Sequence, residues 1–242
     1  MRTVVSAVKS FFLKDTTALF LGSALVSSYA TVIALSYHNT SGFTAAPKAA
    51  IASAMTPADA AKAYRTQVSF VSGIIKSHAP KLASHQQLAQ LIVDESTKAA
   101  IDPLFVAAVI RSESMFRASA LSNKGAQGLM QIMPDTAAYV SKIEKISLKS
   151  ASLNDPRTNV RLGVAYLKYL DKMFHGDRER MLIAYNWGPA NVSRSMKAKR
   201  TPPRQSVNYA REIIERHREW KSDMQEVAFQ GSPLARVRAM VG

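Results

Sequence analysis

The stretch AAVIRSESMFRASALSNKGAQGLMQIMPDTAAY, residues 107–139, continues a helix whose start Asp102-Pro103 predicts. Asp at a helix N-terminus accepts hydrogen bonds from free backbone amides, and Pro at the first helical position gives up a donor that would otherwise stay unpaired. Glu113 therefore lies inside this helix. The residues one and two turns before it are all apolar: Val106, Val109 and Ile110. The sequence thus predicts a carboxylate on the helix face that packs into the core.

A glutamate at such a position loses water, and this loss has a chemical consequence. Desolvation disfavours the charged form and raises the pKa, so that the side chain can hold a proton near neutral pH and act as a general acid. A buried salt bridge with one of the many basic residues is the alternative, and the helix containing Glu113 does not by itself decide between the two.

The segment after this helix, SNKGAQGLMQIM at residues 122–133, predicts a loop that forms a site. Gly125 and Gly128 permit a positive φ or a close backbone approach. Gln131 can both donate and accept hydrogen bonds, and Ser122 can bond a carboxyl group. The residues GAQG alone are also compatible with an ordinary turn.

Three separated motifs carry a resemblance to a known family. Glu113-Ser114 is followed by S-x-x-GA-x-GLMQ-x-MP at residues 122–134, by DP-x-x-N-x-x-x-G-x-x-YL-x-x-L at 155–170 and by AYN-x-GP at 184–189. In this order they resemble the lytic transglycosylases of the soluble, goose-lysozyme-like type, which cleave bacterial peptidoglycan. The resemblance implies an all-α fold, a lysozyme-like orthogonal helix domain, with peptidoglycan glycan strands as the substrate.

The number of candidate acids bears on the mechanism, because most glycoside hydrolases use two carboxylates. Asp102 and Asp155 fit helix caps before proline, and Asp135 lies in the first turn of a helix, where a negative charge complements the dipole. Glu113 is then the one convincing catalytic candidate.

The resemblance implies how a single acid can suffice. Glu113 would protonate the glycosidic oxygen between N-acetylmuramic acid and N-acetylglucosamine, and would then act as a base on the C6 hydroxyl. The sugar's own N-acetyl group would stabilise the cation, and a 1,6-anhydro sugar would result. A lysozyme-like hydrolase that activates water is the alternative within the enzyme class.

The resemblance also implies a set of substrate-binding residues. Ser122 would orient Glu113 or the N-acetyl group, and Gln131 and Met133 would line sugar subsites. Tyr185 fits the core by spacing alone, whereas the resemblance has its hydroxyl reach Glu113 or the substrate. The expected substrate-binding set is Ser122, Gly128, Gln131, Met133, Tyr185, Asn186 and Tyr209.

The chain departs from the family pattern at three positions. Trp187 stands where the family usually has a small residue, and Ala190 where it usually has glycine. Trp187 would either stack on a sugar ring or pack outward, and both remain open. Gln205 replaces the acid of a Glu-Thr-x-x-Tyr pattern, which puts the role of that acid in doubt, while Tyr209 still fits.

Composition limits the other functional classes. The chain contains no Cys, and its five His have no close metal-ligand spacing, so we expect neither a metal nor another cofactor. The net charge is +15, and basic residues crowd positions 194–204. A second hypothesis is a non-catalytic, membrane-tethered cell-wall-binding protein in which Glu113 is structural and the basic stretch binds a polyanion. An export signal would keep the domain away from nucleic acid.

The N-terminus carries such a signal. Arg2, Lys9 and Lys14 precede an uncharged run, residues 16–37, that is rich in Leu, Ala and Val. This run is long enough to span a bilayer with its basic end in the cytoplasm. Ala34-x-Ser36 is also an acceptable cleavage site, so a cleaved signal is the alternative to an uncleaved anchor. We expect a periplasmic protein, anchored in the inner membrane through this segment.

The predicted organisation has five parts. Residues 1–38 are the export signal or membrane anchor, 39–55 a small, polar linker, 56–78 an accessory helix, 79–221 the lytic transglycosylase catalytic domain, and 222–242 a tail. Short transglycosylases with an export segment resemble those that open the wall for secretion systems, pili or flagella. The resemblance therefore implies such an assembly as a partner.

Overall fold

The computed structural model describes residues 56–146 and 152–230, and these residues form eight helices and no strand. Two isolated β-bridges join Leu121 to Gln127 and Gln127 to Ile132. The all-α prediction is thus confirmed for this part of the chain. The helices are α1 (Pro57–His78), α2 (His85–Ala99), α3 (Pro103–Ser114), α4 (Pro134–Ile143), α5 (Pro156–Met173), α6 (Arg178–Trp187), α7 (Pro189–Lys197) and α8 (Arg204–Gln230).

Aspartate caps begin three of these helices. The side chain of Asp102 accepts a hydrogen bond from the Leu104 amide at the start of α3, and that of Asp155 accepts one from the Thr158 amide at the start of α5. Asp177 caps α6 in the same way. Proline follows Asp102 and Asp155 at the first helical position, where it costs no hydrogen bond. The predicted helix starts are therefore confirmed, and Asp102 and Asp155 act as caps.

The core is built around α3 and α5. Every residue of α3 from Pro103 to Ile110 is buried, so this helix is enclosed on all sides and not only on the face that precedes Glu113. α5 packs against α2, α4 and α6, and α2 packs against α3. One face of α5 is buried along its whole length, at Val160, Gly163, Leu167 and Leu170, and Phe174 directly after the helix is buried as well.

Within the described chain, residues 64–223 form one compact unit, and the described residues on either side, 56–63 and 224–230, are assigned to a second. The compact unit takes in most of α1, because Val68, Val71 and Ile75 are buried and the Tyr64 hydroxyl donates a 2.9 Å hydrogen bond to Asp94 of α2. The larger part of α1 thus packs within the unit that contains Glu113. The division of the chain into an accessory helix, 56–78, and a catalytic domain, 79–221, stays a prediction.

The C-terminal helix continues past residue 221, where the predicted catalytic domain ends. α8 continues through residues 222–230, which the sequence analysis assigns to the tail. The rest of that tail, the predicted linker and the predicted export segment at residues 16–37 all lie outside the described residues. Among residues 56–146 and 152–230, no helix is both long and apolar enough to cross a membrane.

Candidate active site

Glu113 lies in the last turn of α3 and faces a tyrosine from α8. The Tyr209 hydroxyl donates a hydrogen bond of 2.5 Å to Glu113 Oε1, across 96 positions of sequence. The glutamate is half-buried, so protein atoms surround the carboxyl group while part of the residue stays accessible. Its environment is therefore that of an acid which a ligand can still reach.

Burial sets the protonation of this pair. Desolvation raises the pKa of Glu113 to about 7, and the hydrogen bond from Tyr209 opposes that rise because it stabilises the charged form. Burial and the nearby Glu113 charge raise the pKa of Tyr209 well above its usual value, so the tyrosine remains a donor. No ion pair among the described residues involves Glu113, so the buried salt bridge considered above is not found.

The backbone turns sharply after the glutamate. Ser114 is buried, and its hydroxyl donates to the Ile110 carbonyl at 3.1 Å. Met115 and Phe116 then adopt left-handed φ values of 53° and 61°, which residues other than glycine rarely do. Phe116 is buried, and its packing supports this conformation. The turn ends α3 directly after Glu113 and leaves the carboxylate at the edge of the buried helix.

Asn159 on α5 organises the predicted loop. This buried side chain accepts a 2.7 Å hydrogen bond from the Met130 amide and donates to the carbonyls of Gln127 and Leu153 at 2.8 and 2.7 Å. Gly128 has a φ of +78°, and a Cβ there would overlap Asn159 and Leu153. This role of Asn159 was not predicted from the sequence. A polar residue within an apolar helix face was the available signal, because a buried amide needs partners.

Two of the predicted site residues hold the loop itself. The Gln131 side-chain amide donates to two loop carbonyls at 3.0 and 3.1 Å, and the Ser122 hydroxyl accepts from two loop amides at 2.9 and 3.3 Å. Met133 is exposed where α4 begins. Contacts of Ser122, Gln131 and Met133 with the substrate stay predictions.

α6 carries two residues of the third motif, Tyr185 and Asn186, which bond to different parts of the site. The Tyr185 hydroxyl donates to the Met130 carbonyl at 2.8 Å. Burial and the adjacent Glu113 carboxylate raise the pKa of Tyr185 well above its usual value. Asn186 is exposed and accepts a 2.8 Å hydrogen bond from Ser206, which lies one turn before Tyr209 on α8. The fold thus joins α3, α6, α8 and the loop around one glutamate.

The positions that depart from the family pattern lie at the ends of α6, α7 and α8. Trp187 is half-buried, and its carbonyl accepts a hydrogen bond from the Asn191 amide group. Ala190 and Gln205 are exposed. A stacking role for Trp187 stays a prediction.

No second carboxylate joins the site within the described residues. The groups that shift the pKa of Glu113 include no other acid. Asp135 lies in the first turn of α4, as predicted. The buried Asp102 is engaged elsewhere, because it accepts a 2.8 Å hydrogen bond from His217. Among residues 56–146 and 152–230, no group of three or more His, Asp or Glu side chains could hold a metal ion.

This helical fold is that of a lysozyme-like domain, and comparison with known proteins identifies the family. The family described as Transglycosylase SLT domain matches residues 90–213, so the chain belongs to it. The soluble lytic murein transglycosylase of Escherichia coli K12 is 40% identical over 90 residues, 36% of this chain and 14% of that protein. The membrane-bound lytic murein transglycosylase C of Edwardsiella ictaluri is 31% identical over 131 residues, 50% of this chain and 36% of that protein.

Solved structures agree on the fold. The 70-kDa soluble lytic transglycosylase of Escherichia coli superimposes with a TM-score of 0.52 at 25% identity, over 73% of this chain and 32% of that one. An inactive Glu-to-Gln mutant of Lytic Transglycosylase Slt from Pseudomonas aeruginosa gives 0.51 at 24% identity, over 74% and 32%. The predicted lysozyme-like fold is thereby confirmed. The chain spans well under half the length of the curated relatives it matches.

Proposed function

We propose that this protein is a peptidoglycan lytic transglycosylase that cleaves the β-1,4 bond between N-acetylmuramic acid and N-acetylglucosamine and leaves a 1,6-anhydro end. The observation that carries the proposal is the single half-buried Glu113 with a pKa of about 7. An acid with this pKa is divided between its two protonation states near neutral pH. It can therefore both donate and accept a proton during one turnover.

The hydrogen bond from Tyr209 orients the acid for the first step. Tyr209 donates to Oε1, which leaves Oε2 to carry the proton that goes to the glycosidic oxygen. As the bond breaks, Glu113 becomes a carboxylate, and the same hydrogen bond stabilises the charge that forms. Tyr209 is thus a positioning residue whose interaction with Glu113 strengthens as the reaction proceeds.

The lack of a nearby second acid favours an internal nucleophile over an enzymatic one. Retaining glycosidases place a second carboxylate about 5 Å from the first, and inverting enzymes place it about 6.5–9.5 Å away. Among the described residues, no other carboxylate is one of the groups that shift the pKa of Glu113. In the proposed reaction the substrate's N-acetyl group stabilises the cation. The Glu113 carboxylate then removes the C6 hydroxyl proton, and the C6 oxygen bonds to C1.

The proposed location is the periplasm, at the face of the inner membrane. The basic N-terminus with its apolar run supports it, as does the similarity to relatives named membrane-bound lytic murein transglycosylase C. A secretion, pilus or flagellar assembly as a partner stays a prediction from the resemblance.

Mass spectrometry of released muropeptides tests the proposal. The full chain, purified in mild detergent, is incubated with peptidoglycan, and we expect products lighter by one water than hydrolysed muropeptides. Glu113→Gln should abolish their release, whereas Glu144→Gln, which changes an exposed glutamate at the end of α4, should not. Reducing-end products would show hydrolysis instead. No release by a folded protein that still binds peptidoglycan would favour the non-catalytic wall-binding hypothesis.

A further inference from the structure

Two side-chain hydrogen bonds join α8 to α3, the helix that carries Glu113. In the last turn of α3, the Tyr209 hydroxyl lies 2.5 Å from Glu113 Oε1. At the other end of α3, His217 Nε2 lies 2.8 Å from Oδ2 of Asp102, the residue that caps this helix. The two contacts are about 16 Å apart along α3, because an α-helix rises about 1.5 Å per residue. α8 is thus attached to both ends of the helix that holds the acid.

The contact between Asp102 and His217 is buried and well defined. The two side chains are only 5% and 13% exposed. Burial alone would raise the pKa of Asp102, but the bonds from His217 and the Leu104 amide lower it, so the carboxyl group is charged at neutral pH. A carboxylate only accepts hydrogen bonds, so His217 Nε2 is the donor. The His217 ring also meets the Phe105 ring edge to face at 5.5 Å, which fixes its orientation.

Tyr209 and His217 belong to one face of α8. Ile213 lies between them at a spacing of four residues from each, and it is fully buried. The two side chains are about 12 Å apart along the helix, and a helix is stiff over so few turns. A slide of α8 by one residue would displace Tyr209 by about 1.5 Å, which would break its hydrogen bond to the carboxyl group.

The other hydrogen bond close to Tyr209 leads to a different helix. Ser206, one turn earlier on α8, donates to Asn186 of α6 at 2.8 Å. This bond holds the start of α8 against α6, whereas the bond from His217 attaches α8 to the same helix as Glu113. The distance between Tyr209 and the acid therefore depends most directly on the contact at His217.

We propose that the bond between His217 and Asp102 is a remote positioning contact for the catalytic acid. It sets the register of α8 along α3 and thereby places the Tyr209 hydroxyl on Glu113. One carboxylate oxygen of Asp102 fixes the start of α3, and the other fixes α8 against it. The inference deepens the proposed function, because it names the residues that position the acid of that reaction.

The pKa of Glu113 reports its bond to Tyr209 without any substrate. It can be followed by ¹³C NMR of the full chain in mild detergent, labelled at the glutamate carboxyl carbons, and Glu113→Gln identifies the signal. Tyr209→Phe should raise this pKa by about one unit, because the lost bond stabilises the charged form. His217→Phe keeps a ring but has no donor, and it should raise the same pKa by about half a unit or more.

A double substitution tests whether His217 acts through Tyr209. In the Tyr209→Phe background, His217→Phe should change the pKa of Glu113 no further, because both substitutions remove the effect of one bond. His217→Gln offers an amide donor in place of Nε2 and should restore most of the unmodified pKa. Asp102→Ser keeps a capping hydroxyl but is too short to reach His217, so it should act like His217→Phe and replaces that variant if it does not fold.

Tyr64→Phe is the matched control, because it removes a 2.9 Å bond from a tyrosine to Asp94 between α1 and α2 and should leave the pKa of Glu113 unchanged. The inference would be overturned by an unchanged pKa in folded His217→Phe and Asp102→Ser, by a shift that persists in full in the Tyr209→Phe background, or by an equal shift in Tyr64→Phe. These outcomes do not depend on whether the chain releases anhydro products. The expected shifts in a chain that releases none would support the positioning contact and overturn the proposed activity.

Discussion

The raised pKa of Glu113 predicts how the stability of the protein changes with pH. The carboxyl group has an ordinary pKa of 4.5 and a pKa of about 7 in the folded protein. Between these values the folded state binds more protons than the unfolded state, so the free energy of unfolding falls as the pH rises. The contribution is fully present below pH 4.5 and is lost above pH 7. Its size is at most about 3 kcal/mol, and partial exposure of Glu113 lowers our expectation to about 2 kcal/mol.

Glu113→Gln isolates this contribution. Glutamine has nearly the same shape, and its amide oxygen can still accept the Tyr209 hydrogen bond, but it does not titrate. The difference in unfolding free energy, variant minus unmodified protein, should therefore grow by about 2 kcal/mol between pH 4 and pH 8. The variant should be the more stable of the two at high pH, because the unmodified protein then has to keep a charged carboxylate in a desolvated environment.

Urea denaturation across this pH range, followed by tryptophan fluorescence, measures the difference. Both tryptophans of the chain, Trp187 and Trp220, lie in the compact unit that contains Glu113. Glu144→Gln serves as the control, because its exposed side chain should give a difference that is nearly independent of pH. A constant difference for Glu113→Gln, or one that grows towards low pH, would refute the desolvation argument.

Three further predictions concern other residues of the compact unit formed by residues 64–223. Tyr209→Phe removes a hydrogen bond that stabilises the charged form of Glu113, so the pKa of Glu113 should rise. In a pH–rate profile, the pH at which activity is lost on the alkaline side should therefore increase by about one unit. Gly163→Ala places a Cβ where the buried Met130 side chain lies, so the free energy of unfolding, measured by urea denaturation, should fall by about 1–3 kcal/mol. Gly73→Ala is the matched control: its Cβ would lie in open space on α1, so the free energy of unfolding should rise by up to about 1 kcal/mol. Asp102→Asn keeps a capping residue but loses the charged partner of a histidine. Burial alone would raise the pKa of Asp102, but the bonds from that histidine and from a backbone amide lower it. The variant's stability deficit, about 1–3 kcal/mol at pH 7, should therefore shrink as the pH falls below 3.8.

Local signals were enough to predict the helix starts and the burial around Glu113. Asp102-Pro103 and Asp155-Pro156 are capping sequences whose effect depends on only a few neighbouring residues, and both helices begin there. The burial around Glu113 follows from the apolar residues that precede it on the same helix. The residues that determine each helix start, and those that determine the burial around Glu113, all lie within two helical turns of the position predicted.

The partners of the acid could not be predicted in this way. Tyr209 lies 96 positions from Glu113, and nothing in its own surroundings indicates that its hydroxyl meets a carboxylate. Only the family resemblance pointed to it. The bond between Tyr185 and the Met130 carbonyl likewise depends on how α6 meets the loop. The extension of α8 beyond residue 221 was not predicted, although the sequence carries a signal for it: the buried residues Ala210, Ile213, Trp220 and Met224 recur at helical spacing and continue past residue 221.

The electrostatics of the site explain how a strongly basic chain can keep a neutral acid. An opposite charge within about 4–6 Å lowers a carboxyl pKa by about 1–3 units, which would leave Glu113 without its proton at neutral pH. The chain has a net charge of +15, yet no described Lys, Arg or His forms an ion pair with Glu113, and its hydrogen bond comes instead from an uncharged tyrosine. A tyrosine hydroxyl can orient the carboxyl group and stabilise the anion when it forms, without holding it permanently ionised. Tyr209 therefore orients the Glu113 carboxyl group without fixing it in its charged form, and the proposed role of Glu113, first as acid and then as base, requires this combination.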